Sequence, residues 1–152
     1  MKREIETFIA IDPGKNGGIA WRDAEGCAQA IAMPETTRDL VDALRGICVR
    51  FPCFFMECVV ERVHSMPRDG SASAFAFGEN FGQIQGVLAT LGIPYRFVTP
   101  QAWQKKVGAL PKDKKERKNA LKAFAQQRHP HLQVTLKTSD ALAMLTVEDE
   151  KY

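Results

Sequence analysis

Polar and apolar positions divide the chain into strand-like and helix-like stretches. Residues 5–12, Ile-Glu-Thr-Phe-Ile-Ala-Ile-Asp, read as a strand closing on a carboxylate. Pro13-Gly14-Lys15-Asn16-Gly17-Gly18 is turn chemistry, because proline fixes its own φ while glycine and asparagine tolerate positive φ. Ile19-Ala20-Trp21 opens a second strand, and Ala24-Glu25-Gly26 turns into a third at about residues 27–32. Three strands joined by short turns predict an antiparallel meander. Leu40, Val41, Leu44, Ile47 and Cys48 then recur at helical spacing over residues 38–50.

The run Phe54-Phe55-Met56, Cys58-Val59-Val60 reads as a buried central strand ending at Glu61. A loop over 62–71 leads to a long helix at about 72–91, with Phe77, Phe81, Ile84 and Leu88 as its apolar stripe. Gly78, Gly82 and Gly86 recur every fourth residue there. Each costs about 1 kcal/mol relative to alanine in a helix, so something is expected to approach that surface closely: the sheet, a second subunit or DNA. Tyr95–Val98 is a short strand, and Thr99-Pro100 starts a helix through Trp103. The stretch 112–128 reads as an exposed basic helix with Ala120, Leu121 and Phe124 inward, broken at His129-Pro130-His131. A last helix runs over about 138–147, with Thr138 or Ser139 as its cap. The fold class is α/β: a central mixed sheet of about five strands, the first three antiparallel, flanked by helices.

Length and composition fit one domain spanning residues 1–152, with 45% hydrophobic and 26% charged residues. No apolar run is long enough to cross a membrane and no signal-peptide pattern opens the chain, so a cytosolic location is expected. Cysteines 27, 48, 53 and 58 form no zinc pattern and read as free, small buried hydrophobes. The net charge is only +3, but Lys112, Lys114, Lys115, Lys118 and Lys122 crowd one segment. Such a segment is either a solvated helix face or a phosphate-binding surface.

Three carboxylates hold special places. Asp12 closes the first strand, Glu61 closes the most apolar one, and Asp140 lies in the first turn of the last helix. Singly, they read equally well as a turn residue, an ion-pair partner of Arg62 or Lys15, and a helix-end charge that favours the macrodipole. Jointly, if the first and fourth strands are neighbours, they meet at one sheet end. Clustered carboxylates repel at low dielectric and require a cation. Hard oxygen ligands suit Mg²⁺, with Mn²⁺ as a substitute. Two such ions about 4 Å apart would activate a water and stabilise the leaving oxygen in phosphodiester hydrolysis.

The ordered set Ile11-Asp12-Pro13-Gly14, Val59-Val60-Glu61 with Val63-His64-Ser65-Met66-Pro67, and Ser139-Asp140-Ala141-Leu142-Ala143 resembles the RuvC family of Holliday junction resolvases, in particular its bacteriophage and prophage-type members. Phe77-Gly78-Glu79-Asn80-Phe81-Gly82 and Val98-Thr99-Pro100-Gln101-Ala102-Trp103 resemble the same subgroup. The resemblance covers about residues 8–147. It implies a ribonuclease H-like fold, a homodimer in the cytoplasm of a bacterium or phage-infected host, and Mg²⁺-dependent nicking of branched DNA in recombination and repair. Asp12, Glu61 and Asp140 match three of the family's four catalytic, metal-holding acids. The fourth usually lies one helical turn before Asp140, where this chain has Lys137. Either fewer acids hold the metals, or Glu148 or Asp149 substitutes, or the protein binds junctions and cuts poorly. Glu148 lies two turns beyond Asp140 and is a poor geometric substitute.

Candidate DNA contacts are Lys15, His64, Arg68, Lys112, Lys114, Lys115, Lys118 and Lys122, with Phe75 or Phe77 stacking at an opened base pair. A competing reading, an actin-like ATP-binding protein, rests on Asp12-Pro13-Gly14 and the glycines after it, and the chain is too short for two nucleotide-enclosing lobes.

Overall fold

The structure is a computed structural model describing residues 4–49, 52–62 and 68–152. Strands β1 (Thr7–Asp12), β2 (Gly18–Arg22) and β3 (Ala28–Ala32) form the expected antiparallel meander. Helix α1 (Thr37–Ile47) follows, capped by Thr36, whose side chain accepts from the Asp39 N–H. Strand β4 (Met56–Glu61) pairs parallel with β1, in register from Thr7–Met56 to Ile11–Val60. After α2 (Ser71–Leu91), β5 (Tyr95–Val98) pairs parallel with β4. Helices α3 (Pro100–Val107), α4 (Lys114–Arg128) and α5 (Ser139–Glu148) complete the chain. The sheet order is β3-β2-β1-β4-β5, which bears out the mixed five-strand α/β reading.

Strand alternation sends side chains to opposite faces, and both faces are covered. Ile9 and Ile11 of β1, with Cys58 and Val60 of β4, pack against Leu40 and Leu44 of α1 and Ile84 and Leu88 of α2. Phe8, Ala10 and Val59 face the other way, toward Trp103 of α3, Leu121 and Ala125 of α4, and Ala141–Leu145 of α5. Each fully buried Leu or Ile contributes about 1.5–3 kcal/mol, so both layers hold the sheet from its centre. By the same alternation Asp12 lies in step with Ala10, and Glu61 with Val59. Both acids therefore belong to the face that α3, α4 and α5 cover.

Two local features lock the turn after Asp12. Gly14 adopts φ 103°, a left-handed conformation that favours glycine, and its N–H donates to Asn80 Oδ1 of α2 at 2.8 Å. Gly18 runs close under the last helix: a Cβ there would stand 2.5 Å from the Lys137 carbonyl oxygen. The start of α5 is thereby pinned against the β1–β2 corner.

Several expectations are corrected. Phe54 and Phe55 form a 3-10 turn before β4 and are exposed, so the central strand begins at Met56. Cys58 is buried, but Cys27 is exposed and Cys48 and Cys53 are half-buried; all four thiols are free. Thr138 takes the N-cap position of α5 as expected, but its side chain makes no capping bond: its Oγ1 accepts from the Thr135 N–H instead. A Cβ on Gly78, Gly82 or Gly86 would meet nothing within 4 Å, so the sheet is not what approaches that stripe. Among the described residues, no helix is long and apolar enough to cross a membrane.

Candidate active site

Parallel pairing of β1 and β4 ends both strands at the same sheet edge. Asp12 and Glu61 lie one residue beyond the Ile11–Val60 pair. Helix α5 packs on β1 and β2 and brings Asp140, in its first turn, to the same edge. Asp12 and Glu61 are 8% and 7% exposed, so their charges are largely withdrawn from water.

The electrostatics follow from that burial. Desolvation pushes the Asp12 carboxyl well above the ordinary range, and the Glu61 and Asp140 charges push it further, against a smaller opposing pull from Lys118. Glu61 is pushed up to about 7, again chiefly by burial; the indole N–H of Trp103 opposes this, and Asp140 adds to it. The three carboxylates thus feel one another electrostatically, as the sequence spacing had suggested.

Two side chains from the covering helices restrain the acids. Lys118 Nζ of α4 pairs with Asp140 Oδ2 at 2.9 Å. Trp103, fully buried in α3, donates its Nε1–H to Glu61 Oε2. Lys118 was anticipated as a basic residue but not as the partner of Asp140. Trp103 was not anticipated at the site; its one signal was that a buried indole N–H needs an acceptor.

The other expected residues are spread more widely. Lys15, Arg68, Lys112, Lys114 and Lys115 are exposed, and Lys122 is half-buried. Lys114 and Lys115 lie four and three residues before Lys118, and Lys122 four after it, so the four line one side of α4. Phe75 is 74% exposed. Phe77 is half-buried, its ring 3.1 Å from where a Gly14 Cβ would stand and 6.3 Å from the Phe81 ring, so it packs rather than projects. His64 lies outside the described residues. Lys137, two residues before α5, is exposed.

Glu148 and Asp149, the other acids weighed as ligands, do not reach the site. Glu148 is at the far end of α5, held by Arg96 at 3.0 Å and Lys106 at 2.9 Å. Asp149 pairs with Arg22, both buried. A cavity of about 740 Å³ lies at that far end, lined by Glu4, Phe8, Glu57 and Arg96 among others, and does not include the three acids.

An all-oxygen, charge-rich donor set fits a hard divalent cation better than a soft one. No group of three or more His, Cys, Asp or Glu side chains among the described residues stands in a ready-made ligating array. Asp140 is engaged by Lys118 instead.

A five-stranded mixed sheet with three antiparallel strands, a parallel fourth and fifth, and helices on both faces is the ribonuclease H-like architecture. Two solved structures match it over nearly the whole chain. Thermus thermophilus RuvC in complex with a Holliday junction substrate is 14% identical at a TM-score of 0.58, over 93% of this chain and 90% of that one. A second Thermus thermophilus RuvC structure is 16% identical at 0.57, over 93% and 92%. At such identities the likeness establishes a shared fold. No protein-family model matches the chain, and no curated protein matches it by sequence.

Proposed function

We propose that this protein is a metal-dependent, structure-selective DNA endonuclease that nicks four-way or branched junctions by phosphodiester hydrolysis, akin to the phage-type RuvC resolvases. The observation that carries the reading is the carboxylate cluster at one sheet edge, in which Asp12 and Glu61 are buried and the pKa of both is raised, chiefly by desolvation. Its fold likeness to a RuvC bound to a Holliday junction supports the choice of substrate.

Asp12, Glu61 and Asp140 would hold Mg²⁺ or Mn²⁺. A divalent ion there would supply Lewis acidity toward a phosphodiester and a lowered pKa for water. The chain's own residues do the rest. The hydrophobic layer under the acids limits water around them, strengthening each electrostatic contact. Lys118, which pairs with Asp140 at 2.9 Å, would be the nearest ammonium to contact a phosphate at this edge. Lys114, Lys115 and Lys122 extend that positive surface along α4, Lys112 lies just before its start, and Lys15 and Arg68 flank the acid edge in sequence. Such contacts position the backbone rather than select bases. His64, following Glu61, is proposed beside the scissile phosphate, and the exposed Phe75 is proposed to stack on a base at the branch point.

A homodimer suits a two-fold junction. The open glycine stripe of α2 supports close approach by a second copy.

A second reading, a junction-binding protein that cuts poorly, is favoured by Lys137 and by the Lys118–Asp140 ion pair. A labelled four-way junction incubated with Mg²⁺ or Mn²⁺ separates the two. The nuclease gives paired symmetric nicks with wild type and none with Asp12→Asn, which still binds the junction. Cleavage retained by Asp12→Asn sinks the mechanism; binding without nicks in wild type selects the second reading.

A further inference from the structure

We propose that Trp103 is a positioning residue for Glu61, its indole N–H fixing one carboxylate oxygen so that the other is presented for cation binding. The inference rests on the metal-dependent reading above and deepens it.

The geometry is set by the chain path. Val98, the last residue of β5, stands in register with Glu61 on β4, and the Arg62 N–H donates to the Val98 carbonyl at 2.8 Å. The two strands are thus tied together where the acid lies. One residue later Thr99 caps α3, its Oγ1 accepting from the Ala102 N–H at 3.3 Å, and Pro100 takes the first helical position. That abrupt helix start turns Trp103 back over the end of β4, where its ring is buried in the hydrophobic cluster on that face of the sheet. The indole is 0% exposed. Packing on all sides leaves it little freedom to swing, so the direction of its N–H is fixed.

The donor's chemistry suits the task. An indole N–H only donates, carries no charge and does not ligate metals. It can therefore hold Glu61 Oε2 while a cation is present or absent. An ammonium in the same place would repel the incoming ion and have to leave, as Lys118 must leave Asp140. The cluster thus holds one acid with a permanent neutral donor and another with a displaceable cation. A merely structural account, in which Glu61 serves as an acceptor for a core tryptophan, predicts no effect of Trp103 on cation affinity.

The test replaces Trp103 with 3-benzothienylalanine, which keeps the ring shape and puts sulfur where the N–H was. Mn²⁺ binding is followed by calorimetry on the DNA-free protein, with thermal unfolding alongside. Loss of an outer hydrogen-bond partner of a metal ligand typically costs 10–100-fold in affinity, so Mn²⁺ should bind about ten-fold or more weakly while the protein stays folded. Unchanged Mn²⁺ affinity in the folded variant overturns the proposal but leaves the metal site standing. Absence of Mn²⁺ binding in wild type, or wild-type binding that survives in Asp12→Asn and Glu61→Gln, overturns the metal site itself and this inference with it. A second readout needs no variant: in a Mg²⁺ titration of wild type, the Trp103 indole proton resonance should shift saturably while that of Trp21 does not. A Trp103 resonance that stays fixed through saturation also overturns the proposal.

Discussion

The two ends of the sheet both gather carboxylates, yet they treat them in opposite ways. At the N-terminal end of β1 and β4, Arg22 pairs with Asp149, and Arg96 and Lys106 share Glu57 and Glu148 at 2.9–3.0 Å. Asp149, Glu57 and Glu148 are thus each ion-paired there. At the C-terminal end, Asp12, Glu61 and Asp140 meet a single described ion pair, Lys118 with Asp140, plus the neutral indole of Trp103. Helix α5 joins the two ends, with Asp140 in its first turn and Glu148 at its last residue. Burial alone therefore does not distinguish the two groups of acids. The supply of built-in positive charge does: among the described residues the acids of the first group are each ion-paired, whereas in the second only Asp140 is.

The contrast can be broken from either end. The largest expected effect is on chemistry: Glu61→Gln should cut junction nicking at least about 100-fold, the scale of losing a group that organises transition-state charge, with junction binding kept in a gel-shift assay. The largest effect on stability belongs to the opposite end. Arg22→Met strands a buried Asp149 charge and should cost about 3–5 kcal/mol in urea unfolding, without removing any residue of the acid edge.

A smaller effect sharpens the comparison through pH. The Glu61 carboxyl is raised from 4.5 to about 7, chiefly by burial, and Asp12 is raised as well. A raised acid contributes stability that is fully present below its unfolded value near 4.5 and is lost as pH climbs through about 7. Metal-free wild type should therefore lose stability over that window relative to Glu61→Gln, as read by thermal unfolding at fixed ionic strength. Parallel curves for the two proteins would show that Glu61 is not strained when ionised. The smallest effect is on DNA affinity: Lys114→Gln should lower the slope of log affinity against log salt by about one, with nicking at saturating protein unchanged.

Much of this was legible along the chain. The meander, the strand ending at Glu61 and the order of helices follow from periodicity and turn chemistry, because those signals are local. The sequence also brought Asp12 and Glu61 to one sheet end on the condition that β1 and β4 are neighbours, which they are. The partners of the acids were not legible, because each joins distant elements: Trp103 lies 42 residues from Glu61, and Arg22 lies 127 from Asp149. No local pattern encodes which buried acid will find a cation. Glu148 and Asp149 therefore looked available as substitute ligands in sequence, whereas arginines and a lysine at the other end of the sheet hold them. The Phe54-Phe55 pair misled for a related reason: an apolar run has no internal mark separating an exposed 3-10 turn from the strand that follows.

The central claim is that the cluster at Asp12, Glu61 and Asp140 needs a cation from outside the chain. The most direct measurement is thermal unfolding of wild type and Asp12→Asn across a Mg²⁺ titration at constant ionic strength. Wild type should melt at a higher temperature as Mg²⁺ saturates, as binding to the native state requires, and Asp12→Asn should lose most of that rise. A wild-type melting temperature indifferent to Mg²⁺, or an equal rise in both proteins, would contradict the account.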